Sequence, residues 1–244
     1  MVQEFPQILG VFSLRKEEEI GAGGTKKTHD NITYWYVRIL TPEDFEVQPL
    51  NQYHVPSGIK SVIKKNSFLP QYTPEPAYYR MNTVPALESL ARKVRKGQQA
   101  FENGELDEAE RQFLKALMID ELNVAANMGL GKVYAEQQEF DKLKKVIDTL
   151  LSIDEVFVVE QRKRFNEFGI SLRKNGMYDE SIRYYNKALE FTNRDENLYF
   201  NLARVHYERG DQDGAIKSLK SALDLNPSFV EAQKFLKHCE RLTA

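Results

Sequence analysis

The part of the chain closest to a chemical signature is GAGGTKKT, residues 21–28, a glycine-rich run with lysine and threonine of the kind that wraps phosphate groups. Lys26 stands where such a loop requires its second glycine, and β-forming residues follow it instead of a helix whose N-terminal amides would hold the anion. The same letters begin like a dinucleotide fingerprint and fail at Lys26 again. The run therefore reads as a basic loop. The histidines His29, His54, His206 and His238 show no ligand spacing with cysteine or paired carboxylates. His238 and Cys239 are neighbours in a helical pattern and so leave the helix in different directions. The acidic run Glu17, Glu18, Glu19 has nothing to pair with and reads as a solvated turn. No catalytic residue, cofactor or metal is expected.

The composition is that of an ordinary folded chain. Hydrophobic residues at 41% and charged residues at 29% are ordinary globular values. With 34 basic against 36 acidic side chains, the net charge of -2 is too balanced to hold a polyanion by counterion release, so nucleic acid is not expected as a partner. Cys239 is the one cysteine, which excludes an intrachain disulfide and suits a reducing, cytoplasmic setting. Residues 1–15 carry Glu4, Pro6 and only a short apolar stretch, unlike a secretory signal. No window approaches the roughly 18 uninterrupted apolar residues that cross a bilayer, so membrane insertion is not expected.

Any surface that binds must then be positioned by the elements, and these repeat. A period of roughly 34 residues separates paired amphipathic segments. In GQQAFENGELDEAERQFLKAL, Gly97 leads to Asn103 and Gly104, then to Ala109, Phe113 and Ala116 at helical spacing. Gly169, Gly176, Ser181, Tyr185 and Ala188 recur in the same places, and Ala203, Gly210, Ala215, Leu219 and Ala222 recur again before Pro227. A weaker copy keeps Gly131 and Tyr134, but Gln138 replaces the turn glycine and Leu143 and Leu150 replace small residues. Small residues let two helices approach closely, and glycine ends the first in a left-handed conformation. The two leucines are expected to widen that hairpin.

Length, small residues, turn glycine, aromatic position and terminal proline together resemble the tetratricopeptide repeat family over residues 90 to 244. The resemblance implies a mainly α fold: a right-handed α-solenoid of four helix-turn-helix repeats over 90–123, 124–157, 162–195 and 196–229, with 158–161 inserted and a capping helix over 230–242. Lys93 and Lys96 depart from the family's apolar preference, as Glu121 and Glu155 do from proline. Leu87, Leu90, Val94 and Phe101 form an apolar stripe on the side a solenoid leaves concave, which implies either a rotated first helix or coverage by the N-terminal region.

The resemblance also places a groove, since the first helix of each repeat lines the concave face. Repeat two would present Met128, Lys132 and Ala135; repeat three Lys163, Asn166, Ile170 and Arg173; repeat four Asn197, Phe200, Arg204 and Tyr207; the capping helix Lys234 and His238. Basic groups interleaved with Phe200 and Tyr207 suit a peptide or partner segment with acidic groups and an apolar anchor. Met128, Glu167 and Asn201 occupy three positions of the family's carboxylate clamp for chaperone tails, which disfavours that ligand.

Residues 1–70 read differently, as a small β-rich extension. ITYWYVRIL over 32–40 and the alternating patterns over 44–50 and 59–64 predict antiparallel strands, with turn chemistry at 41–44 and 55–58. Trp35, Val37 and Ile39 form the expected inward face. Tyr34, Tyr36 and Arg38 form the other, as amphipathic cover or as a surface for a partner. Pro70, Pro74, Pro76 and Pro85 predict a connector over 71–85 leading to the array at 86–244. So small a sheet is expected to pack on the first helices of the array or on another subunit. The chain is therefore expected to be a protein-binding adaptor or assembly factor, with a self-assembling scaffold using the extension as the alternative.

Overall fold

The computed structural model describes residues 6–20, 27–157, 162–192 and 194–243, so most of the glycine-rich run lies outside the described residues. The chain divides into two compact units, Met1–Lys96 with Lys115–Leu122, and Gly97–Leu114 with Asn123–Ala244.

In the first unit, β1 (Gln7–Ile20), β2 (Lys27–Thr41), β3 (Asp44–Pro49), β4 (Ser61–Lys64) and β5 (Tyr72–Pro74) form one antiparallel sheet in the order β4-β3-β2-β1-β5. The predicted strands are present, and β1 and β5 join them. The β1–β2 register slips between Ile8 and Gly10, where Gly10 takes φ 106° as the turning residue of a bulge. Val37 and Val47 are fully buried with Phe45, Leu14, Phe68 and Tyr72, and Trp35 and Ile39 pack against them, as the alternation predicts. Phe68, in the short helix α1 (Lys65–Phe68), stacks on Phe45 and Tyr72 and closes this face.

The opposite face is also covered. The proline-rich segment 71–85 is no plain connector: after β5 it becomes α2 (Pro76–Tyr78), a π-helical turn (Tyr79–Thr83) and then α3 (Val84–Glu102). Pro76 sits in the first turn, where its missing N–H costs nothing. Pro85 is tolerated because the helix widens before it, the Val84 N–H reaching back to the Tyr79 carbonyl. This segment lays Tyr78 on Tyr34 with ring centroids 3.9 Å apart and Tyr79 beside Tyr36, 6.3 Å away. Tyr36 is thereby buried, and its phenol is pushed up to about 12 by that burial and by Tyr79. The loop after β3 is held by Asn51, whose side chain caps the amides of Tyr53 and Val55 and donates to the Ile119 carbonyl at 2.8 Å.

Helical hairpins follow along the chain. They are α3 with α4 (Leu106–Leu117), α5 (Val124–Glu136) with α6 (Phe140–Leu151), α7 (Arg162–Lys174) with α8 (Tyr178–Phe191), and α9 (Glu196–Arg209) with α10 (Gln212–Leu225), followed by α11 (Val230–Thr243). The turn glycines Gly104, Gly176 and Gly210 are left-handed at φ 78°, 73° and 90°, and Gln138 is forced to φ 57° in the second turn. The Phe113 ring fills the space a side chain would need at both Gly97 and Gly129. In the second hairpin the bulk has changed sides: Leu143 and Leu150 are fully buried while α5 buries Ala126, Gly129, Gly131 and Ala135. Small residues on the first helix compensate for large ones on the second.

Candidate protein-binding surface

The first helices α5, α7 and α9 place the predicted groove residues, but one flank of each helix faces its successor. Arg173 of α7 is 7% exposed and paired with Glu208 of α9, and Met128 of α5 is 5% exposed. These two are seam residues and leave the predicted groove lining. The spacing rule marked a stripe wider than the solvent sees, because the next repeat covers its edge.

The seam has its own pattern. Asn201 Nδ2 donates to Asn166 Oδ1 at 2.8 Å, and the Tyr185 hydroxyl lies 3.4 Å from the same oxygen. Lys132 Nζ lies 3.9 Å from Glu167. Both Arg173–Glu208 and Asn166–Asn201 join residues 35 apart, as does Asp148–Arg183 on the second helices at 2.9 Å. Glu167, Asn201 and Glu208 were missed as working residues. Complementary polar types one residue beyond the repeat period are the signal that could have found them.

At the last repeat, the expected apolar anchors are already engaged. The Phe200 ring lies 5.0 Å from Phe229 and 6.1 Å from Phe235, the Tyr207 ring lies 5.2 Å from Phe235, and the Tyr207 hydroxyl meets His238 Nε2 at 2.9 Å. Helix α11 thus uses Phe200 and Tyr207 as its own seat, with Cys239 fully buried beneath it. Nearby, His206 Nδ1 lies 2.7 Å from Asp211, whose other oxygen accepts the Gly214 N–H at the start of α10. That amide, and then His206, hold the Asp211 carboxyl below its usual range.

Lys163 and Lys234 are exposed, and Arg204, Ile170 and Asn197 are half-buried. Among the described residues, Lys163, Arg204 and Lys234 form no ion pair. They stand on α7, α9 and α11, three successive first-helix positions. No group of three or more metal-ligating side chains occurs among the described residues, and no helix among them is long and apolar enough to cross a membrane.

Paired antiparallel helices, repeated with left-handed turns and closed by a single helix, define the class as a helical-repeat protein. Family models described as tetratricopeptide repeat match residues 94–142 and 165–228, so this helical part of the chain is built of tetratricopeptide repeats. Tetratricopeptide repeat protein 16 of Homo sapiens is 27% identical over 154 residues, covering 57% of this chain and 18% of that protein. The Hsp70-Hsp90 organizing protein of Triticum aestivum is 26% identical over 110 residues, covering 42% of this chain and 18% of its own length. The chain thus matches less than a fifth of the length of these relatives. Among solved structures, the crystal structure of MamA protein aligns with a TM-score of 0.48 at 19% identity, over 63% of this chain and 82% of that one.

Proposed function

We propose that this chain is a non-enzymatic adaptor or assembly factor of a reducing, cytoplasmic compartment, binding an acidic segment of a partner protein along its first helices. The observation that carries the proposal is the set of cations Lys163, Arg204 and Lys234 on the alternate helices α7, α9 and α11, which form no ion pair among the described residues, beside Lys132 and Arg173 whose charges are already offset within the array. Cations left unpaired at the surface are the groups available to a ligand. Ile170 and Asn197, half-exposed on α7 and α9, offer an apolar contact and a hydrogen-bonding amide beside them. The organizing role in the name of the wheat relative supports a protein partner. The departures at Met128, Glu167 and Asn201 argue against a chaperone tail as that partner.

The test is affinity capture from native lysate with the wild type and a Lys163→Glu, Arg204→Glu, Lys234→Glu variant, quantified by mass spectrometry, with matched melting temperatures as the folding control. A partner recovered only by the wild type supports the groove. Equal recovery by both proteins removes it, and recovery of the chain itself in both would favour the self-assembling scaffold.

A further inference from the structure

We propose that the outer edge of β4 is a second, separate docking site that accepts an extended acidic and apolar peptide of a partner protein as an added sixth strand. The phase of the β3–β4 ladder fixes which backbone groups are available. The Lys65 N–H donates to the Glu43 carbonyl at 2.9 Å, and the register pairs Asp44 with Lys64, Phe45 with Ile63, Glu46 with Val62 and Val47 with Ser61. In an antiparallel ladder, hydrogen-bonded and non-hydrogen-bonded pairs alternate. The bonds therefore fall at the Phe45–Ile63 and Val47–Ser61 pairs, and the N–H and C=O of Val62 and the N–H of Lys64 turn outward, away from β3.

Edge strands are ordinarily blunted by shortness, charge, proline or a covering loop, and β4, four residues long, is guarded by its lysines while it keeps apolar side chains exposed. Here Val62 is 61% exposed, with Ile59 at 68% just before the strand and Leu69 at 60% just after α1. The opposite side of the strand is committed, since Ile63 packs on the sheet core. An outward-facing Val62 amide with its own exposed apolar side chain is an arrangement that strand addition uses: main-chain bonds supply affinity, and side chains of the added strand meet an apolar neighbour. The segment 59–69 carries Lys60, Lys64 and Lys65 and no acidic residue; Lys64 is paired with Asp44 at 2.7 Å, and the remaining positive excess fixes the sign of the occupant's charges. The lysines also oppose pairing with a second copy of the same strand, because like charges would then lie across from one another.

The probe is a fluorescein-labelled heptapeptide alternating glutamate with valine, titrated by fluorescence anisotropy at low and high salt. Val62→Pro removes the outward donor without touching a bond to β3, a substitution edge strands tolerate. An Ile59→Lys, Val62→Lys variant removes the apolar contacts and leaves the backbone intact. The expected result is binding to the wild type, weakened by about tenfold or more in each variant at unchanged melting temperature, with amide exchange at Val62 and Lys64 slowed by the peptide. An acidic peptide could also sit in the groove, so the groove charge-reversal variant is titrated beside these. Binding lost with groove reversal and kept in both β4 variants overturns the edge site, as does absence of binding to the wild type at millimolar peptide. Binding kept with groove reversal and lost in the β4 variants supports the edge whether or not the groove proposal stands.

Discussion

At the residue scale, the second turn and one buried tyrosine carry avoidable cost. Gln138 is held at φ 57°, a conformation costing a residue with a Cβ about 1 kcal/mol, at a place where three sister turns use glycine. Gln138→Gly is expected to raise the melting temperature by roughly 2–4 °C, read by calorimetry. Tyr184 is fully buried and its hydroxyl finds no partner among the described residues, while burial raises its pKa well above the ordinary phenol value. Tyr184→Phe removes the unsatisfied group and should be neutral or stabilising by up to ~1 kcal/mol in urea denaturation. A clear destabilisation would show that the hydroxyl has a partner after all. Residue identity was most legible where one type suits one geometry, as at Gly104, Gly176 and Gly210. It was least legible at Met128 and Arg173, whose burial depends on the neighbouring repeat and leaves no local trace.

At the element scale, helices such as α6 and α8 were readable because each buries one face of a 3.6-residue periodicity, whereas α5 is buried on nearly every side. The strand β1 was not, since its second half carries the charged run Arg15 to Glu19, which reads as a solvated turn until β2 pairs with it along its whole length. The helical run from Pro76 was hidden by prolines that predict breaks. Pro76 occupies the tolerated first turn, and Pro85 is accommodated by a wider turn that no sequence rule announces. Helix α10 shows how one cap ties element to pH. Asp211 accepts the Gly214 N–H at 2.9 Å and lies against His206, and its pKa is lowered on folding. A carboxylate depressed in the folded state stabilises above its unfolded pKa, near 3.9, and that contribution is lost as pH falls through the lower folded value. Asp211→Ala should cost about 1 kcal/mol at neutral pH. Asp211→Asn should keep most of the cap while flattening this part of the acid limb of a stability-against-pH curve.

At the scale of the whole molecule, the repeat unit is held by links between neighbours, and their energies are uneven. Phe157, Phe165, Phe168 and Tyr184 are all fully buried around the third hairpin, and the Phe168 ring occupies the space above Gly131 of the preceding one. Phe235 of α11, by contrast, is half-buried at the terminal seat on Phe200 and Tyr207. In a solenoid whose stability is a sum of repeat and nearest-neighbour contributions, the same truncation acts differently at the two places. Phe168→Ala should cost about 3–5 kcal/mol and lower hydrogen-exchange protection in α5 to α8 together, because it loosens one repeat and its junction with the previous one. Phe235→Ala should cost less and confine its effect to α9, α10 and α11, freeing Phe200 and Tyr207 without disturbing Lys163. Exchange measured by mass spectrometry separates these patterns. If Phe235→Ala lowered protection in α5 and α6 as much as in α10, the array would be one cooperative block, and helix α11 would have to be regarded as setting the stability of the array along its whole length.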